Sequence, residues 1–144
     1  MDHWLFIWKI DEKRVLAAIK AAEARTSGEL RVFISSKAAI DPLAAAEKAF
    51  LDLGMDKTRE RNGVLIFIAP KSRNFAIVGD EGVHVRCAPS FWEDVSAAIG
   101  EKLRSGSYTE SIILGIERAS TLLAEHFPMS GQDKNELPDS LAGD

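Results

Sequence analysis

The sequence has a single cysteine, Cys87. One thiol excludes an intramolecular disulfide and any multi-thiolate zinc site within the chain, and it fits a reducing compartment. Cysteine-phosphatase chemistry needs an arginine six residues after the nucleophile, and Glu93 stands there. Cys87 therefore reads as a packing residue. Basic excess is also absent. Lys and Arg number 18 against 22 Asp and Glu, a formal net charge of -4, which argues against nucleic-acid binding by bulk electrostatics. The apolar run Trp4–Trp8 falls far short of the roughly 20 residues that span a bilayer. It is flanked by neither the basic start nor the small-residue cleavage site of a signal peptide. The expected location is the cytoplasm, with Trp4 and Trp8 packed on the domain or on a protein partner.

Several catalytic motifs are missing as well. No GxxxxGK[ST] segment wraps a nucleotide phosphate, so no nucleotide or organic cofactor is expected. No GxSxG elbow presents an acyl-transfer serine. His3, His84 and His126 lack the spacing that puts two metal ligands on one helical face. His126 suits the negative end of a helix dipole.

What is present is a chain of 144 residues, 46% hydrophobic, enough for one domain with its own core. Helical spacing of Val15, Leu16, Ile19 and Ala22 follows Asp11, a cap candidate, and should end at Thr26-Ser27-Gly28, with Gly28 at positive φ. Glu29–Ser35 reads as a strand. Asp41-Pro42 opens a second helix that stops near Gly54. Val64–Ala69 is almost wholly apolar, as a central strand covered on both faces should be. A turn at Pro70–Asn74 leads into a strand Phe75–Val78, closed by Gly79-Asp80-Glu81-Gly82, with Val83–Val85 as a short extension. Ser90 is expected to cap a helix to about Leu103. Gly106 breaks it, and a helix from Thr109 to His126 carries one wide apolar stripe. Residues 1–128 form the expected domain and 129–144 an acidic, mobile or loosely docked tail.

The predicted class is α/β, a central mixed sheet of a βαβ unit plus an antiparallel hairpin strand, flanked by helices on both faces. This topology has a chemical consequence. The parallel strands start where the reversed third strand ends. Glu29, Arg61, Asn62, Asp80 and Glu81 then gather at one end of the sheet, joined by Asp56 and Thr58 from the preceding loop. Asp80, Glu81 and Glu29 offer the carboxylate oxygens that hard cations such as calcium prefer. The other reading of Asp80 and Glu81 is an ordinary salt bridge to Arg61. Lys57, Arg59 and Arg61 face either an anion or solvent. In the tail, Asp133, Asn135, Asp139 and Asp144 match four calcium-loop positions, but Pro138 stands where that loop needs glycine and Leu137 replaces a ligand, which excludes an EF-hand.

The segments Thr26-Ser27-Gly28-Glu29, Thr58–Ile68, Phe75–Gly82 and Phe91-Trp92, with the HFP and NELPD pieces near the end, resemble the TPM domain family over nearly the whole chain. The likeness is to short bacterial members that carry the domain alone. It implies a mixed sheet flanked by helices, a calcium or magnesium site at Asp80 and Glu81, and an accessory role. It also implies an alternative, a weak metal-assisted acid phosphatase. A partner-binding module using the N-terminal aromatics is the third reading.

Overall fold

The structure, a computed structural model, describes residues 10–129 and 141–144. Asp11 caps helix α1 (Glu12–Glu23), its carboxylate accepting from the Arg14 amide at 3.2 Å. Strand β1 (Glu29–Ile34) follows, then helix α2 (Pro42–Asp52), capped by Asp41 with Pro42 in its first turn. Gly54, at φ 72°, turns the chain out of α2, which is where glycine meets no Cβ penalty. Next come β2 (Gly63–Ala69), β3 (Asn74–Gly79), α3 (Glu81–Arg86), α4 (Ser90–Arg104), α5 (Tyr108–His126) and β4 (Ala142–Gly143).

The strand order is β3-β2-β1-β4, with β1 parallel to β2 and β2 antiparallel to β3. The continuous apolar run of β2 makes sense in this place. Every residue from Gly63 to Ala69 is buried, because both faces are covered. On one face Val64, Ile66 and Ile68 pack with Leu30, Val32 and Ile34 under α1, α4 and α5. On the other, Leu65 and Phe67 pack with Phe33, Met55 and Phe50 under α2. The α5 stripe Ile112, Ile116, Ala119 and Leu123 is fully buried, and each large member contributes about 1.5–3 kcal/mol of apolar burial.

Three local expectations are corrected. Val83–Val85 is not a strand extension but the middle of α3. The β2–β3 ladder ends at Val64 opposite Gly79, and the Asp80 amide makes a closing bond to the Gly63 carbonyl at 2.9 Å. Beyond that point the chain has no strand to pair with, and the Asp80 carboxylate starts a helix by accepting from the Glu81 amide at 2.8 Å. Ser90 is the first residue of α4 and not its cap, since Pro89 precedes the helix and no side chain caps it. Gly28 does not take a positive φ. Its value is space, because a Cβ there would sit 3.2 Å from Leu123 and 3.3 Å from Thr26.

Most of the expected tail 129–144, namely residues 130–140, lies outside the described residues, as do Trp4 and Trp8. Its last residues are placed. Ala142 and Gly143 add a parallel strand to Phe33 and Ile34 of β1. Asp144 then accepts hydrogen bonds from the Ser35 hydroxyl at 2.8 Å and from the amide and hydroxyl of Ser36. Burial alone would raise the Asp144 pKa. The bonds from Ser36 and Ser35 outweigh it, and the net direction is downward. A carboxylate depressed in the folded state stabilises above its ordinary range and loses that contribution as pH falls through the folded value. The β4 contact is therefore expected to be intact at neutral pH and to release under acid conditions, below the usual aspartate range. Following the Ser36 amide resonance through an acid titration checks this. A Ser36 amide that does not move on acidification would show that the Asp144 carboxylate does not hold the tail.

Candidate functional site

The end of the sheet where β1 and β2 begin and β3 finishes holds the residues that topology grouped. Arg61 lies just before β2 in the left-handed region, at φ 53°. Its amide donates to the Thr58 carbonyl at 3.2 Å, closing a turn. That turn aims the guanidinium at Asp80, which it grips with two bonds: Nε to Oδ2 at 2.7 Å and Nη2 to Oδ1 at 2.8 Å. Asp80 is only 6% exposed. Glu81, on the first turn of α3, stands 3.8 Å from the same guanidinium and is largely exposed. The Asp80 hydrogen bonds raise the Arg61 pKa, with the charges of Asp80, Glu81 and Asp56 acting in the same direction.

The remaining expected residues brace this turn. The Thr58 hydroxyl accepts from the Asn62 amide at 3.2 Å, and the Asn62 carbonyl accepts from the Glu29 amide at 3.3 Å. Glu29 itself is buried. Sequence reasoning missed Glu60 and Ser27. Glu60 Oε2 accepts from the Ser27 hydroxyl and from Asn62 Nδ2, each at 3.2 Å. Nothing in the local pattern marks Glu60, because Ser27, the partner it joins to its own turn, comes from a segment that meets that turn only in the fold. Gly82 completes the arrangement. Its amide donates to the Arg61 carbonyl at 2.9 Å, and a Cβ there would lie 2.6 Å from that oxygen and closer still to the carbonyl of Glu60.

Thus Arg61, Asp80 and Glu81 are brought together, with Asp56 near enough to act on the guanidinium. Thr58, Asn62 and the Glu29 backbone form the floor. Among the described residues, no three of His, Cys, Asp and Glu stand in a metal-holding group. The salt-bridge reading of Asp80 and Arg61 is the one the geometry displays. One acceptor is left over: buried Asn62 Oδ1 has no hydrogen-bond partner. Elsewhere, Cys87 is half-buried and its thiol pKa is pushed up by burial and by the charge of Glu125, which suppresses the reactive thiolate. His84 packs on the Trp92 ring at 5.0 Å and lines a shallow cleft with Leu43 and Val78. No helix among the described residues is long and apolar enough to cross a membrane.

A sequence model of the TPM domain matches residues 2–122. The chain belongs to the TPM domain family. The TPM domain here is similar to the BA42 protein from the psychrophilic bacterium Bizionia argentinensis, solved by NMR. The two are 36% identical over 92% of each chain, with a TM-score of 0.87. Two further NMR structures share the fold at lower identity. The N-terminal domain of cg2496 from Corynebacterium glutamicum is 18% identical, over 90% of this chain and 75% of that one, with a TM-score of 0.59. The N-terminal domain of a P. gingivalis protein is 19% identical, over 77% and 72%, also with a TM-score of 0.59. No curated protein matches in sequence.

Proposed function

We propose that this TPM domain is an accessory binding module and not an enzyme, acting in the cytoplasm with a protein partner. In this reading its Arg61–Asp80 end takes a divalent cation, calcium or magnesium. Asp80 and Glu81 would supply carboxylate oxygens, and Arg61 stands in for the cation when none is bound. The observation that carries the reading is Asn62 Oδ1, a buried acceptor with no donor. An unsatisfied buried acceptor costs about 1–3 kcal/mol. A hard cation that takes carbonyl and carboxylate oxygens would remove that cost. The surrounding charge favours the same ligand, since Asp56, Asp80 and Glu81 all act on one guanidinium.

The competition between Arg61 and the cation gives the test a sign. Calcium at millimolar concentration is expected to shift the amides of residues 58–62 and 80–82. Arg61→Gln frees Asp80 and should tighten calcium binding, on the order of tenfold for the loss of one adjacent positive charge. Asp80→Asn should abolish it. No shift near Asp80, Glu81 or Glu29 in the wild-type protein would sink the cation reading. Hydrolysis of p-nitrophenyl phosphate that disappears in Asp80→Asn would replace it with the metal-assisted acid phosphatase.

A further inference from the structure

The opposite end of the sheet, about 20 Å away along β2 by strand rise, carries a second polar feature. A cavity of about 450 Å3 opens where β2 ends, between the β2–β3 turn and the junction of α4 and α5. That volume lies in the range of small-ligand sites. We propose that it binds a small organic oxyanion, a phosphate or carboxylate carried on a flat apolar body.

Charge is the first argument. In a chain of net charge -4, the described residues that line this cavity include Arg73 and Arg104 and, among them, no aspartate or glutamate. Neither arginine takes part in the salt bridges among the described residues. A guanidinium presents a planar fork of donors that matches carboxylate and phosphate oxygens two at a time. Tyr108, the first residue of α5, also lines the cavity, and no side chain caps that helix start. The positive end of a 19-residue helix therefore adds to the same sign.

The rigidity of the turn that carries Arg73 is the second argument. Arg73 sits at φ 56° and ψ 38°, with its amide donating to the Pro70 carbonyl at 3.1 Å. Left-handed backbone costs an ordinary L-residue about 1 kcal/mol or more, and glycine or asparagine is the usual occupant. Backbone preference therefore does not explain an arginine here. A closed network fixes the turn. The Ser72 hydroxyl accepts from the Ala39 amide at 3.0 Å and lies 2.8 Å from Asn74 Oδ1, while Asn74 Nδ2 donates to the Ala39 carbonyl at 2.8 Å. Arg104 alone would be accounted for by the α4 C-terminus, where a cation suits the helix dipole. That account does not reach Arg73, which comes from a different element.

The cavity also has an apolar side. Leu103 and Tyr108, both half-buried, supply it over the buried Ile68, Ala69 and Pro70. A bare ion would leave this surface unused, whereas a ligand with an apolar body would cover it.

Amide shifts in the full chain, read without added metal, test the proposal independently of the cation reading. The probes are phenyl phosphate, benzoate and inorganic phosphate at neutral pH. Phenyl phosphate, benzoate or both are expected to shift the amides of residues 69–74 and 103–108, and which of them does so identifies the oxyanion. Inorganic phosphate is expected to bind at least about fivefold more weakly, because it buries no apolar surface. Arg73→Gly and Arg104→Gln should each weaken the organic anion roughly tenfold. Glycine is at ease at positive φ, so Arg73→Gly leaves the turn intact and its loss of binding is not a loss of fold. Arg118→Gln, on the exposed face of α5, should change nothing. The proposal is overturned if neither organic probe moves these amides, if binding survives both cavity substitutions, or if inorganic phosphate binds as tightly as phenyl phosphate.

Discussion

Gly82→Ala is expected to destabilise the domain by about 2–3 kcal/mol, although alanine is the better helix former. Two opposing magnitudes decide the sign. Gly82 lies within α3, where replacing glycine by alanine would by itself gain about 1 kcal/mol. Against this, the new methyl would stand 2.6 Å from the Arg61 carbonyl oxygen and nearer still to that of Glu60. Overpacking typically costs about 1–3 kcal/mol and exceeds that range when the obstructing atoms cannot rotate away. Both obstructing atoms here are backbone oxygens of the turn that aims Arg61 at Asp80. Relief would require α3 and that turn to separate, which also lengthens the bond from the Gly82 amide to the Arg61 carbonyl. Denaturant unfolding of the variant, with Tm lowered by roughly 8 °C, checks the magnitude. Weakened protection of the Gly82 amide from hydrogen exchange checks the mechanism. Stability within about 0.5 kcal/mol of wild type, the usual span of surface substitutions, would mean that α3 does not press on the 60–61 turn.

This site shows which parts of the molecule were legible in the sequence. Meeting of Arg61 with Asp80 followed from topology, since the direction of three strands dictates which ends are neighbours. The apolar run of β2 and the Asp41-Pro42 helix start were legible because both arise from local chemistry, burial on two faces and a cap followed by a preset φ. Val83–Val85 misled for a physical reason. β-branched residues around a histidine carry the alternation of a strand, but a strand needs a partner, and the β2 ladder has none to offer past Gly63. Local propensity therefore gave way to the cap that Asp80 supplies. β4 was illegible because two residues carry no periodicity; their pairing depends on the edge of β1 and on Ser35 and Ser36, over 100 positions away. Glu60 was missed likewise, since it ties Asn62 of its own turn to Ser27, 33 positions away. The cavity residues Arg73 and Arg104 could not be paired either, because the contact between the hairpin turn and the α4 end is purely tertiary.

Asp80→Ala, measured in calcium-free buffer, is expected to cost about 2–3 kcal/mol, and the direction of that change carries more meaning than its size. A cluster of carboxylates held ready for a cation repels itself when the cation is absent, so neutralising one member would stabilise the domain. A carboxylate satisfied by an internal partner behaves in the opposite way. Asp80 is buried, accepts two bonds from Arg61 and caps α3 through the Glu81 amide. Loss of a capping carboxylate costs about 1 kcal/mol. Removing an acceptor that donors still surround costs about 1–3 kcal/mol more. The Arg61 side chain is 43% exposed, so water partly replaces the lost acceptor, and the total stays below the extreme for a fully buried pair. Asp80→Asn retains one acceptor oxygen and should lose about half as much. Equilibrium denaturation of the three proteins, repeated with calcium, separates the two roles of the residue. Destabilisation without calcium establishes the clamp. A stability gain from calcium in the wild type that is absent in Asp80→Asn would show that the same carboxylate exchanges its guanidinium for a metal. Stabilisation by Asp80→Ala in the calcium-free protein would show that Arg61 does not neutralise this end of the sheet.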